Sequence, residues 1–150
     1  MRVLIQRVSE ARVDVGGACV GKIGRGLLLL VSAAPTDTHD EVKYVAEKIV
    51  NLRIFADDEG KMNRSALDCG YELLVVSQFT LHANVRKGRR PSFIEAASPD
   101  IAEPLVELLV AELRSTGLHV ETGQFGAEMA VSLINEGPVT IWMDTDELRR

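Results

Sequence analysis

Several things are scarce in this chain, and each scarcity excludes something. Aromatic residues make up 5% of the 150 residues, and the only cysteines are Cys19 and Cys69. A disulfide-stapled secreted scaffold needs more thiols than that. Cys19 falls in a strand-like run and Cys69 in a turn-like one, so two free thiols in a reducing compartment are expected. Long hydrophobic runs are also missing. The longest, residues 27–31, is far short of the roughly 20 residues that cross a bilayer. Residues 3–5 are interrupted at once by Gln6 and Arg7, so no secretory core is expected there. A soluble, cytoplasmic protein without a membrane partner is the expectation.

Common chemical signatures are absent too. There is no Walker loop, dinucleotide fingerprint, Cys-x-x-Cys pair or nucleophile elbow. The three histidines, His39, His82 and His119, are scattered, so neither a metal site nor a cofactor is expected.

What is present suffices for a folded domain. Hydrophobic residues form 46% of the sequence, enough to bury a core at this length and too many for a disordered chain. The net charge of -5 argues against a generic cationic nucleic-acid coat, but it is unevenly spread. Residues 1–90 hold 14 basic and 11 acidic side chains, a balance of +3, whereas residues 91–150 hold 3 basic and 11 acidic, a balance of -8. An anionic partner is expected to meet the first part of the chain.

Alternating apolar residues predict strands over 3–7 and 11–15, a Gly16-Gly17 hairpin turn, and a partner strand over 18–22. Residues 27–33 and 72–76 read as strands buried on both faces. Thr38 with Glu41 forms a capping box ahead of Val42, Val45, Ala46, Ile49 and Val50, which predicts a helix to about Leu52. A second helix starts near Ser98-Pro99 and stops at Gly117, with Pro104 expected to delay its regular part. Strands over 129–134 and 139–143, separated by Asn135-Glu136-Gly137-Pro138, close the chain. The expected fold is α+β: a single domain over 1–150 whose curled antiparallel or mixed β-sheets approach a barrel, with two main helices packed outside.

Three segments stand out chemically, each with more than one reading. Ser77, Gln78, Phe79 and Thr80 follow directly on a buried strand. They are either a solvated strand end or reactive groups placed where sheet proteins commonly put them, with Thr80 and His82 on one face if the strand continues. Arg86, Lys87, Arg89 and Arg90 crowd a loop kept from helix by Gly88 and Pro91. They are either phosphate ligands or a solvated surface charge run, or else an internal or intersubunit salt-bridge partner of the acidic part of the chain that follows. Gly137-Pro138 is either an ordinary trans turn or one of the about 5% of X-Pro bonds that are cis.

Together these segments resemble the D-aminoacyl-tRNA deacylases of the bacterial and eukaryotic type. Gln6-Arg7-Val8, Ser77-Gln78-Phe79-Thr80-Leu81, Lys87-Gly88-Arg89-Arg90-Pro91-Ser92-Phe93, Gly123-Gln124-Phe125-Gly126-Ala127-Glu128-Met129 and Asn135-Glu136-Gly137-Pro138-Val139-Thr140 match family blocks in order and spacing. The resemblance implies a homodimeric, metal-independent hydrolase. Its substrate would be the ester between a D-amino acid, or glycine on an alanine tRNA, and the 3′-terminal adenosine of an aminoacyl-tRNA. It further implies a cis Gly137-Pro138 pair that enters the partner subunit's active site as a chirality filter, with Arg7 holding the pair and Phe125 and Met129 nearby. Ser77, Gln78, Phe79 and Thr80 become the catalytic segment, and Arg86, Lys87, Arg89 and Arg90 the tRNA contacts.

Two hydrolytic schemes stay open. Thr80 attacks the ester with His82 as base, or backbone N–H groups around Phe79 and Thr80 stabilise the oxyanion while the ribose 2′-OH helps activate water. The chain departs from the family pattern at His82, commonly tyrosine, at Glu136, usually aspartate, and at Ser32-Ala33-Ala34, usually more hydrophobic. The rival expectations are a non-catalytic RNA-end or small-ligand binding module and, more distantly, a small-ester hydrolase using Thr80 and His82.

Overall fold

The structure is a computed structural model that describes residues 1–149. Strand β1 (Arg2–Val15) is the spine of the main sheet. Along one edge its first half pairs antiparallel with β3 (Gly26–Ser32), and its second half with β2 (Ala18–Ile23). Its other edge pairs antiparallel with β8 (Ala130–Asp144), from Arg2↔Asp144 to Asp14↔Ala130. Beyond β3 the sheet continues in parallel through β6 (Glu72–Ser77) to β7 (Val120–Thr122). A two-stranded ribbon, β4 (Phe55–Ala56) with β5 (Met62–Arg64), stands apart.

The sheet curls until β2 meets β7. At Gly21 a Cβ would lie 2.3 Å from the Thr122 carbonyl oxygen, so only glycine permits this approach. Inside the curl Val8, Ala11, Val13, Ile23, Leu28, Leu74 and Val76 form one buried cluster. The outer face packs Ile5, Leu27, Leu29, Leu73 and Val75 against Val45 and Ile49 of helix α1 (His39–Asn51) and Leu109 and Leu113 of helix α3 (Pro99–Ser115). Strands β3 and β6 are therefore apolar on both faces, as their unbroken hydrophobic runs predict. The α+β curled sheet with two outer helices is the architecture expected from the sequence.

Helix α1 carries the predicted Thr38/Glu41 capping box. Three other features differ from expectation. Helix α3 begins at Pro99 and carries Pro104 inside it, because a proline in the second turn forfeits one backbone bond while the apolar stripe Leu105, Leu109 and Leu113 still holds the helix to the sheet. The two closing strands are one strand, β8, since β1 is long enough to pair on both sides of Gly137-Pro138; its register shifts around Val8 absorb the irregularity. Cys69 ends a short helix, α2 (Ala66–Cys69), too brief for hydrophobic periodicity to reveal, and both cysteines are free. A last turn, α4 (Thr145–Leu148), follows β8. No helix among the described residues is long and apolar enough to cross a membrane.

Candidate active site

Strand β6 ends at Ser77, and the chain turns at once into a one-turn 3-10 helix over Phe79–His82. Leu81 N–H bonds to Gln78 O at 3.1 Å and Ala83 N–H to Thr80 O at 3.0 Å. The strand does not continue, so Thr80 and His82 do not share a strand face. Thr80 is exposed, and its hydroxyl accepts from Gln78 Nε2. His82 is buried, with Nδ1 2.6 Å from the Ser32 hydroxyl. Burial pushes the His82 pKa below its ordinary value, and the charges of Arg2 and the N-terminal ammonium push it the same way.

Beside this turn lies a cavity of about 370 Å³ lined by Ser32, Ser77, Gln78, Phe79, Phe93 and Phe125, among others. Phe79 and Phe93 meet edge to face with ring centroids 5.2 Å apart, and Phe79 is 55% exposed. A second concavity of about 600 Å³ under α3 shares Ser77, Val106 and Phe125 with the first. Helix ends leave N–H groups without intrahelical partners. Here those of Phe79 and Thr80 bond to no backbone carbonyl among the described residues, and Phe79 itself lines the cavity. Met129, by contrast, packs against the cluster inside the curl, with its sulfur 3.4 Å from Gln124 N.

Gly137-Pro138 is cis and exposed, in the stretch of β8 that lies beside Gln6–Val8 near the middle of β1. Arg7 Nε donates to Glu136 O at 2.9 Å and Nη1 to Ile54 O at 2.7 Å, so one guanidinium ties the turn to the ribbon edge. Asn135 fastens the other side. Its Oδ1 accepts from Val139 N–H at 2.7 Å, and its Nδ2 donates to Thr140 Oγ1 at 2.9 Å. Sequence reading gave Asn135 no role, although its place in the Asn-x-Gly-Pro block was the available signal. Gly137 has φ +138, and a Cβ there would lie 2.9 Å from Val139 Cγ2 and 3.1 Å from Arg7 Nη2. A Glu136 carboxylate oxygen reaches Arg25 Nη2 at 3.3 Å.

The turn and the cavity do not meet within one chain. Arg7 pairs with Leu27 at one end of β3, whereas Arg2, paired with Ser32 at the other end, reaches Leu81 O at 3.0 Å. Five residue steps separate these two positions on β1, which is about 17 Å along the sheet.

Arg86, Lys87, Arg89 and Arg90 are all exposed on a loop whose neck is closed by Asn84 and Ser92, paired at 2.8 and 2.9 Å. None of the ion pairs among the described residues involves these four cations. The internal salt-bridge reading is therefore not what the fold builds. Among the described residues no group of three His, Cys, Asp or Glu side chains is arranged to hold a metal ion.

The family model for D-Tyr-tRNA(Tyr) deacylase matches residues 4–144. The chain belongs to that family. It is 60% identical over 149 residues to the D-aminoacyl-tRNA deacylase of Thermomicrobium roseum, covering 99% of this chain and 97% of that protein. The D-aminoacyl-tRNA deacylase of Roseiflexus castenholzii is 61% identical over 145 residues, covering 97% of this chain and 92% of the relative. Among solved structures, the c-Myc DNA unwinding element binding protein superposes with a TM-score of 0.91 at 41% identity, over 97% of this chain and 99% of that one. Membership of this deacylase family makes the chain a hydrolase.

Proposed function

We propose that this member of the family hydrolyses the ester of D-aminoacyl-tRNA, and of glycine mischarged on alanine tRNA, releasing the free amino acid and intact tRNA. It does so as a homodimer in which Gly137-Pro138 of one subunit closes the Ser77–Thr80 cavity of the other. The observation that carries this reading is the separation of the two parts: an exposed, doubly clamped Gly-Pro turn about 17 Å along the sheet from the Phe79–Thr80 turn and its unpaired N–H groups. A second copy brings them together. Among the described residues no strand lies beside the outer edge of β8, and Ile134 and Trp142 of that strand are 54% and 44% exposed, a surface suited to a second subunit.

Chirality then follows from backbone. A side-chain pocket discriminates by about 1 to 3 kcal/mol per methylene, too little to spare every L-aminoacyl-tRNA. A rigid main-chain turn placed where an L residue's Cβ must go rejects all L residues by contact. A D side chain points away from it, and glycine has no Cβ to reject. Arg7 and Asn135 supply the rigidity. The apolar cavity beside Phe79, Phe93 and Phe125 is of the size that takes a nucleoside, and it receives the 3′-terminal adenosine. The exposed Arg86, Lys87, Arg89 and Arg90 meet the acceptor-end phosphates.

For the chemical step the geometry favours backbone catalysis. Thr80 has no base beside it, because the nearest histidine is buried and bonded to Ser32. The unpaired N–H groups of Phe79 and Thr80 receive the developing oxyanion, and the ribose 2′-OH assists the attacking water. Thr80→Ala is expected to keep turnover within about 10-fold of the parent, since no covalent intermediate forms on its hydroxyl. Loss by a factor of roughly 10⁴ or more in single-turnover deacylation makes Thr80 the nucleophile instead. A chain that binds the charged tRNA end without releasing amino acid is the non-catalytic binding module.

A further inference from the structure

The buried pair Ser32 and His82 lies outside every block that carries the family resemblance, yet it touches the reactive turn. Ser32 closes β3 next to the cavity, is 2% exposed, and its hydroxyl contacts two atoms: His82 Nδ1 at 2.6 Å and the Phe79 carbonyl oxygen at 3.3 Å. A serine hydroxyl has one proton to give, and a carbonyl oxygen can only accept. For both contacts to be hydrogen bonds, Ser32 donates to Phe79 O and His82 Nδ1–H donates to Ser32. That assigns the tautomer and the direction of the relay: His82 to Ser32 to Phe79.

The consequence falls on the next atom along the chain. In a planar trans peptide the C=O and N–H point in opposite directions. Drawing the Phe79 carbonyl inward to Ser32 therefore directs the Thr80 N–H outward, to the side on which Thr80 and Phe79 are exposed. Arg2 anchors the other end of the turn through Leu81 O at 3.0 Å, and is itself held by Asp144 at 2.9 Å. The turn is thus gripped at two carbonyls, those of Phe79 and Leu81, on either side of Thr80. We propose that Ser32 and His82 are positioning residues: their relay sets the Phe79–Thr80 peptide plane so that the Thr80 N–H is aimed at the oxyanion before substrate arrives. This rests on the backbone-catalysis reading for its consequence in turnover, but the orientation itself belongs to the free protein. His82 serves as a fixed N–H donor and not as a base.

The test uses the full-length protein with two independent readouts, single-turnover release of D-tyrosine from D-tyrosyl-tRNA and the dipolar coupling of the Thr80 N–H in the unliganded protein. Ser32→Ala is expected to lower kcat about 10- to 30-fold with KM within about two-fold, because an oxyanion donor acts mainly in the transition state, and to change the Thr80 coupling. His82→Asn places an amide N–H donor near the Nδ1 position and is expected to stay within about three-fold of the parent, which a general base would not allow. Ser32→Ala combined with His82→Leu removes both polar side chains together, so neither is left buried without the other. It is expected to recover thermal stability relative to Ser32→Ala while kcat remains low. Recovery of kcat along with stability would make the pair structural only and overturn the proposal, as would an unchanged Thr80 coupling in Ser32→Ala. If the parent releases no D-tyrosine while the coupling still changes, the positioning stands and the reaction assignment fails.

Discussion

Single residues in this protein often serve two elements at once. Arg7 holds a strand register and a turn, Asn135 bridges the two arms of that turn, and His82 fills a buried site while fixing a hydroxyl. The His82 site makes stability depend on pH. Burial, then Arg2 and the N-terminal ammonium, lower its folded pKa, whereas Asp37 and Asp144 partly oppose the shift. The unfolded chain then takes up the proton first. The contribution is complete above the ordinary value of 6.5 and is lost as pH falls below it toward the folded value. Urea midpoints measured at about pH 7.5 and about pH 5.5 should therefore drop more for the parent than for His82→Asn, which has nothing to titrate in that window. Equal drops would show that His82 is readily protonated in the folded state.

At the level of elements, what the sequence revealed depended on whether the signal was local. The capping box at Thr38 and Glu41, the apolar stripe of α3 and the two-sided apolar runs of β3 and β6 carry their own periodicity, and all were legible. The 3-10 turn at Phe79–His82 was not, because an apolar-polar alternation there reads equally as a continuing strand. The unity of β8 depends on fourteen residues of β1 lying beside it, which is long-range information. The closing seam of the sheet is also non-local and makes a sharp prediction. Gly21→Ala puts a methyl 2.3 Å from the Thr122 carbonyl oxygen, a backbone atom that cannot rotate away. It should cost about 1–3 kcal/mol in equilibrium unfolding, whereas Gly60→Ala, with open space but a positive φ of 78, should cost only about 1 kcal/mol of backbone strain. Similar small costs at both positions would mean that β2 and β7 do not close on each other.

For the whole molecule the governing fact is distribution. A net charge of -5 does not describe a protein that sets four exposed cations within five residues of one closed loop. The proposed site residues were legible from sequence only as separate segments, each by its own block, and the cations and Ser77–Thr80 fall on the loop and strand end expected for them. Their relative position was not legible, since nothing in the motifs says that Gly137-Pro138 lies beside the middle of β1 while Ser77–Thr80 lies toward its Arg2 end. On the proposed reading the basic loop contributes affinity and the Gly-Pro turn contributes selection. Replacing Arg89 and Arg90 by glutamine should weaken tRNA binding and flatten its salt dependence by up to about 0.9 per lost phosphate contact, with the preference for D over L unchanged. An unchanged salt slope would make the loop structural.

The central claim is that uncharged backbone, supplied across a subunit boundary, reads chirality at an ester. Side-by-side incubation with D-tyrosyl-tRNA and L-tyrosyl-tRNA tests it most directly. Release of D-tyrosine with the L ester left intact is the expected result. Equal release of both isomers, or release of neither, would contradict it.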